Sequence, residues 1–302
     1  LAGVEQHDGD NELKKGEFTN VFCSYYYLRS KKWDRISDVA RNTKSIIVDS
    51  GAHTFFSEVD NGDPNSGLSA SMIRKKTKTK ASPDEYFDGY IKWLEIWKDK
   101  IDYFVELDIG ELVGQKKVLL WRKMLEDKGL LHKCITVYHP RIMTYRDYLE
   151  DIKNSKSRYV ALEGDRLHRK RLPYTQLIEP AYAEGVRVHG FAIVKPQIIN
   201  SSPFYSVDSS SWSAGSRFGT LMACIGRGQL KSVKLNQLNK SLLALIAVGV
   251  DHIEDVHHVV KQSQRDKRYQ ISIRAYKALQ DYYTELWKLR GIDWEAKIGK
   301  KV

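Results

Sequence analysis

Tyr205 to Gly219 reads YSVDSSSWSAGSRFG, apolar at first and then small and polar. A buried-looking strand ends on an acid, Asp208. It gives way at once to Ser209, Ser210 and Ser211, then to Trp212 and a Gly/Ser turn carrying Arg217. A carboxylate at the C-terminal end of a strand, followed by small residues that let another molecule approach, is how many α/β sites are built. A lone acid in that place more often caps the next turn. The choice depends on whether other strands end the same way.

Several do. Ser45 to Val48 reads as a strand and ends in Asp49-Ser50-Gly51-Ala52-His53, and Tyr103 to Leu107 ends in Asp108-Ile109-Gly110. Cys134 to Val137 ends in Tyr138-His139-Pro140-Arg141, and Tyr159 to Leu162 in Glu163-Gly164-Asp165. Glu106 lies two residues before Asp108, so the period of an extended chain predicts both on one face, pointing into a shared site. Thr19 to Leu28 reads as the first strand and Arg187 to Val194, with His189, as the sixth. The eighth falls in Leu230 to Leu235, with Thr220 to Ile225 as a possible partner. Helices are expected over Lys31 to Arg41, Asp84 to Lys98, residues 115 to 129 and Tyr174 to Glu184, the last two stopped by Gly129 and Gly185. Tyr86, Tyr90, Trp93 and Trp97 form a stripe whose period predicts a core-facing side.

Strands alternating with helices, eight times over, predict an α/β protein of the (β/α)8 TIM-barrel type over residues 17–238. Its rim would hold Asp49, Asp108, His139, Glu163 and Asp208. Residues 1–16 are polar and read as a loose N-terminal arm. Residues 239–302 read as a helical C-terminal extension packed on the barrel. Its last helix, Arg268 to Arg290, carries Ile271, Ala275, Leu279, Tyr282, Leu286 and Leu289 on one face and stops at Gly291.

The 302 residues suit a single barrel, and a hydrophobic content of 42% with 11% aromatics excludes a mainly disordered chain. The longest apolar run, Leu242 to Val250, is too short to span a bilayer, and no signal-peptide pattern opens the chain. A cytoplasmic protein without a membrane partner is expected. Cys23, Cys134 and Cys224 form no CxxC pair, so neither a disulfide framework nor a cysteine zinc site is indicated. A net charge of +11 points to a polyanion, nucleic acid above all, with solubility as the plainer account. Arg74, Lys75, Lys76 and Lys78 lie in the long segment Ser57 to Pro83, and Arg166, Arg169, Lys170 and Arg171 follow the fifth strand. Either cluster alone reads as a solvated face. Together on one rim they favour phosphate binding.

Carboxylates facing one cavity suit chemistry at a sugar anomeric carbon, where one acts as nucleophile and another moves a proton. With a basic surface, that sugar belongs to a nucleotide. A metal-dependent hydrolase would use His139 and His189 as ligands, yet neither has an HxH or HxxxH partner.

DSGAH at Asp49 to His53 resembles the DSGGF signature of guanine transglycosylases, which exchange guanine for a 7-deazaguanine in nucleic acid. The resemblance implies that Asp49 is the general acid/base. The Asp208 stretch is similar to the family segment with an Arg nine and a Gly eleven residues after the acid, a spacing kept by Arg217 and Gly219. It implies that Asp208 is the nucleophile that attacks C1′ and holds the covalent intermediate. LDIG resembles the segment whose acid reads the purine edge, which implies that role for Asp108. ALEG resembles a strand end that contacts the base, implying Leu162 and Gly164. VYHP puts Tyr138 and His139 near the family's amide side chain, and Ser50 and Gly51 accompany Asp49 in the implied base site.

The family's CxCxxC zinc site is absent here, so neither metal nor other cofactor is expected. The VDSSSW form looks closest to the DNA-guanine transglycosylase branch of phages and bacteria, which makes DNA the preferred substrate and tRNA the competitor. Base flipping is implied, with Trp212, Phe55, Phe56 and Tyr138 as candidates to stack on the base and core packing as the alternative for the two phenylalanines. A catalytically silent nucleic-acid-binding barrel and a hydrolase that leaves abasic sites remain as alternatives. The sequence leaves oligomeric state open.

Overall fold

The structure is a computed structural model that describes residues 2–4, 20–30, 35–52, 54, 82–164, 172–213, 220–234, 236 and 265–299. The chain divides into two compact units, one built on Asn20–Glu163 and the other on Gly164–Val302. It is an α/β protein.

In chain order the first unit contains β1 (Asn20–Ser24), α1 (Tyr25–Leu28), α2 (Arg35–Asn42), β2 (Ser45–Asp49), α3 (Pro83–Trp97) and β3 (Tyr103–Val105). It continues with α4 (Gly110–Val113), α5 (Gln115–Asp127), β4 (Cys134–Tyr138), α6 (Tyr145–Asn154) and β5 (Tyr159–Leu162). Each strand pairs in parallel with the next, β1 through β5. Their C-terminal ends therefore share one edge of the sheet. All four residues of β5 are buried, the pattern of a strand covered on both faces.

α3 shows how the sequence builds the surrounding layer. Ser82 and Glu85 form a capping box and Pro83 opens the helix. Tyr86, Phe87, Tyr90, Ile91 and Leu94 then fall on one buried face. The Tyr90 hydroxyl donates to the Val105 carbonyl at 2.9 Å, which fixes the helix against the end of β3. Trp93 and Trp97 are only half-buried, so the apolar face is rotated from the expected stripe.

Two expectations are corrected here. The first strand stops at Ser24, because Tyr25 and Leu28 bury themselves at helical spacing in α1. β3 stops at Val105, so strand alternation does not carry through Glu106 and Asp108. Glu106 is buried, and its carboxylate accepts from Arg122 at 2.6 and 2.8 Å and from the Val137 amide at 2.6 Å. Arg122 also donates to Asp151 at 2.8 Å. This buried ion cluster clamps α5 and α6 to the sheet, and Glu106 takes no part in a site with Asp108.

The second unit contains α7 (Tyr174–Ala183), β6 (Arg187–Gly190), α8 (Pro196–Ser201), β7 (Ser206–Val207), β8 (Thr220–Cys224), β9 (Leu230–Lys234), α9 (Arg265–Leu289) and α10 (Trp294–Gly299). β6 and β7 are parallel, with His189 opposite Ser206. β8 and β9 form a separate antiparallel pair. The expected eighth parallel strand is thus replaced by a hairpin, and the described residues do not form eight parallel strands. The cause is the connection: Gly226, Arg227 and Gly228 have φ of 93°, 50° and 68° and reverse the chain sharply. A parallel crossover needs about a dozen residues or more.

α9 lies along β8, burying Ile271, Ala275, Leu279 and Tyr283. Leu289 is 86% exposed and Tyr282 37%, so the predicted face holds only in its first half. The Trp287 and Trp294 indoles donate to the carbonyls of Ile199 and Pro203, both at 2.9 Å, which ties the C-terminal helices to the β6–β7 connection. Of the expected arm, residue 1 and residues 5–16 lie outside the described residues, as do residues 17–19 and 237–264. Ala2 is not loose: its amide donates to the Ser209 carbonyl at 2.9 Å. Among the described residues no helix is long and apolar enough to cross a membrane.

Candidate active site

In the first unit the acids cluster at the C-terminal edge of the sheet. Asp49 is the last residue of β2, and its Oδ2 accepts from the Gly51 amide at 3.1 Å. Gly51 has a φ of 68°, and a Cβ there would lie 2.5 Å from the Tyr26 Cβ and 2.6 Å from the Ser24 Oγ. Only glycine fits this turn. Ser50 is fully buried, and its carbonyl accepts from the Tyr86 hydroxyl at 2.7 Å. The DSG run is therefore a tightly packed turn that holds one carboxylate at a strand end.

His139, directly after β4, lies between two acids. Its Nδ1 bonds Glu163, directly after β5, and its Nε2 is 2.7 Å from Oδ1 of Asp108, three residues past β3. His139 and Glu163 are buried, while the Asp108 side chain is 28% exposed. Burial works against a charge on the imidazole, but the contacts and charges of Asp108 and Glu163 outweigh it and raise its pKa from 6.5 to about 10. At neutral pH the group is an imidazolium held by two carboxylates. The contact with the buried Asp108 Oδ1 is a charge contact.

Glu111, His139 and Glu163 bring one possible ligand atom each within 4.8 Å of one another. Both His139 nitrogens already face carboxylates, and a cation would have to displace a proton from a strongly basic imidazole. Glu111 is engaged by Arg141 at 2.9 Å. These residues are described as an ion network.

Other expected base contacts lie deeper. Leu162 is fully buried, and Tyr138 packs its ring against Tyr148 at 4.7 Å. Burial pushes the Tyr138 hydroxyl pKa up. Both side chains belong to the core, which removes Tyr138 as a stacking candidate.

In the second unit Asp208 directly follows β7, and its Oδ1 accepts from the Ala192 amide at 2.6 Å. Ala192 has a φ of 51°, a left-handed conformation costly for a residue with a Cβ. His189 approaches the same oxygen through Nε2 at 3.4 Å, and its Nδ1 is 2.6 Å from the Ser206 hydroxyl. Gly164 lies against this turn, and a Cβ on it would run into the Phe191 carbonyl. The serines after Asp208 build a local turn: Ser209 Oγ accepts from the Ser211 amide at 3.0 Å, and Ser213 Oγ donates to the Ser210 carbonyl at 3.0 Å. Trp212 is corrected from a stacking candidate to a core residue. It is 1% exposed, and its indole donates to the Ala2 carbonyl at 2.8 Å.

The structure thus links Asp108 with His139 and Glu163, and Asp208 with His189 and Ala192. The sequence put Glu163 on one rim with His139 and Asp108, named His189 as a strand residue without its partners, and gave no sign of Ala192. The signal for His189 was its position across from a strand ending in an acid, readable only once the β6–β7 register is known. His53, Phe55, Phe56, Arg74, Lys75, Lys76, Lys78, Arg166, Arg169, Lys170, Arg171, Arg217 and Gly219 lie outside the described residues. No family model matches the chain, and comparisons with curated proteins and with solved structures found no match.

Proposed function

We propose that the protein exchanges a guanine base in nucleic acid, DNA in preference to tRNA, for a 7-deazaguanine base. The observation that supports this most is the run of acids at parallel-strand ends: Asp49 in β2, Asp108, Glu163 and Asp208 just beyond β3, β5 and β7. Chemistry at a glycosidic carbon needs carboxylates in two states, a nucleophile and a proton carrier.

In this reading an Asp208 oxygen attacks C1′ as the bond to the guanine nitrogen breaks, and Asp49 protonates the departing base. The incoming 7-deazaguanine loses a proton to Asp49 and displaces Asp208, so two inversions restore the original configuration. One N-glycosidic bond replaces another, and no nucleoside triphosphate is consumed. Asp108, beside the His139 imidazolium, accepts from the N–H groups of the guanine edge. The net charge of +11 favours a polyanionic substrate.

The test is incorporation of labelled 7-deazaguanine into duplex DNA and into tRNA by the wild type and by Asp208→Ala. Label entering DNA with the wild type alone is the expected result. Release of guanine with abasic sites and no incorporation would instead identify a hydrolase.

A further inference from the structure

The oxygens of Asp208 are not equivalent. Oδ1 accepts from the Ala192 amide at 2.6 Å, and His189 Nε2 stands 3.4 Å from the same oxygen, a dipolar contact short of a hydrogen bond. His189 is 1% exposed, so it cannot reach a substrate, and the Phe191 ring stands edge-on to it at 5.0 Å. Its other nitrogen meets the Ser206 hydroxyl at 2.6 Å, from the residue directly opposite it in the β6–β7 register. A serine hydroxyl can donate or accept, whereas a neutral imidazole donates from one nitrogen and accepts at the other. An Nε2–H turned toward a carboxylate therefore requires Ser206 to donate to Nδ1.

We infer that His189 is a positioning residue for Asp208: it is the neutral Nε2–H tautomer, fixed by Ser206. The Ala192 amide holds Oδ1 by a hydrogen bond and His189 turns its N–H dipole toward the same oxygen from 3.4 Å, so that Oδ2 is the oxygen that bonds C1′. The inference rests on the nucleophilic role proposed for Asp208. A neutral donor suits that role, since it orients the carboxylate without cancelling its charge, as an imidazolium would. The left-handed turn at Ala192 serves the same end, because it aims an amide at Oδ1 where relaxed backbone would aim it elsewhere. When Oδ2 attacks, its electron pair forms the new C–O bond and the C1′–N pair leaves with the base. His189 gains and loses no proton.

Two measurements test this. The first is kcat and KM for base exchange by the folded wild type, His189→Leu, His189→Gln and Ser206→Ala. Gln carries an N–H where Nε2 lies. His189→Leu should lower kcat about 100-fold with KM little changed, as expected for a misplaced reacting group, and His189→Gln should recover to within about tenfold of the wild type. Ser206→Ala should fall between them. Wild-type kcat in His189→Leu, or a Gln variant no better than Leu, overturns the inference. The second is nitrogen NMR of the full chain with labelled histidine, the His189 signal among the nine being the one lost in His189→Gln. A neutral Nε2–H imidazole at pH 7 is expected, shifting toward a tautomer mixture in Ser206→Ala. An Nδ1–H or doubly protonated ring overturns the inference independently of activity. If the wild type shows no exchange yet His189 has the expected tautomer, it is the proposed function that fails.

Discussion

His139 and His189 belong to different units, yet each meets an acid that lies just beyond a neighbouring strand. His139 has two such acids, Asp108 and Glu163, and they hold it protonated to about pH 10. Among the described residues, His189 meets the acid Asp208 and, on its other side, a serine hydroxyl. Two carboxylates around an imidazole make a charged lock that keeps the imidazole protonated. One carboxylate and a hydroxyl make an oriented dipole. The first arrangement suits recognition of N–H groups by a fixed anion, and the second suits an anion that must stay nucleophilic.

The contrast should be largest in stability. Glu163→Leu leaves a buried imidazolium with a single acid, and breaking a buried ion network in this way costs about 3–5 kcal/mol. Ser206→Ala removes the neutral hydrogen bond to His189, worth about 1 kcal/mol. Urea unfolding of the two variants would show the gap, and equal losses would erase the distinction between the two histidines.

Much of this was legible in the sequence because acids that end apolar runs need no tertiary information to be noticed. Asp49, Asp108, Glu163 and Asp208 all stood out on that ground. Glu106 misled because its role depended on where β3 stopped. An acid two residues from Asp108 shares its face only in continuous strand, and Arg122, from α5, claimed it instead. Trp212 misled for a longer-range reason: its partner is the Ala2 carbonyl, which lies 210 residues away in the sequence. The hairpin of β8 and β9 was half visible, since both strands were named, while three successive residues with positive φ were not.

A smaller effect is expected from pH. Because the folded pKa of His139 lies above its ordinary value of 6.5, its contribution is fully present below about pH 6.5 and is lost as pH rises through about 10. The melting temperature should fall across that window, by about 2–4 °C for each kcal/mol lost. His139→Gln should start lower and show a flatter profile. An identical slope in wild type and variant would place the titration elsewhere.

The smallest effects separate the two positive-φ turns. Gly51→Ala must place a Cβ against Tyr26 and Ser24 beside Asp49, and should cost at least about 1–3 kcal/mol. Ala192→Gly keeps the amide that holds Asp208 and relieves the left-handed strain, so it should stabilise by up to about 1 kcal/mol with exchange retained. Thermal unfolding of both variants checks the opposite signs, and destabilisation by Ala192→Gly would show that the turn is not strained.

The proposed bond between Asp208 and the nucleotide sugar can be trapped by incubating the protein with guanine-containing duplex DNA in the absence of an incoming base and resolving the mixture on a denaturing gel. The wild type should yield a protein–DNA adduct that added 7-deazaguanine discharges, and Asp208→Ala should yield none. An adduct that persists in Asp208→Ala, or base exchange by that variant at the wild-type rate, would contradict the account.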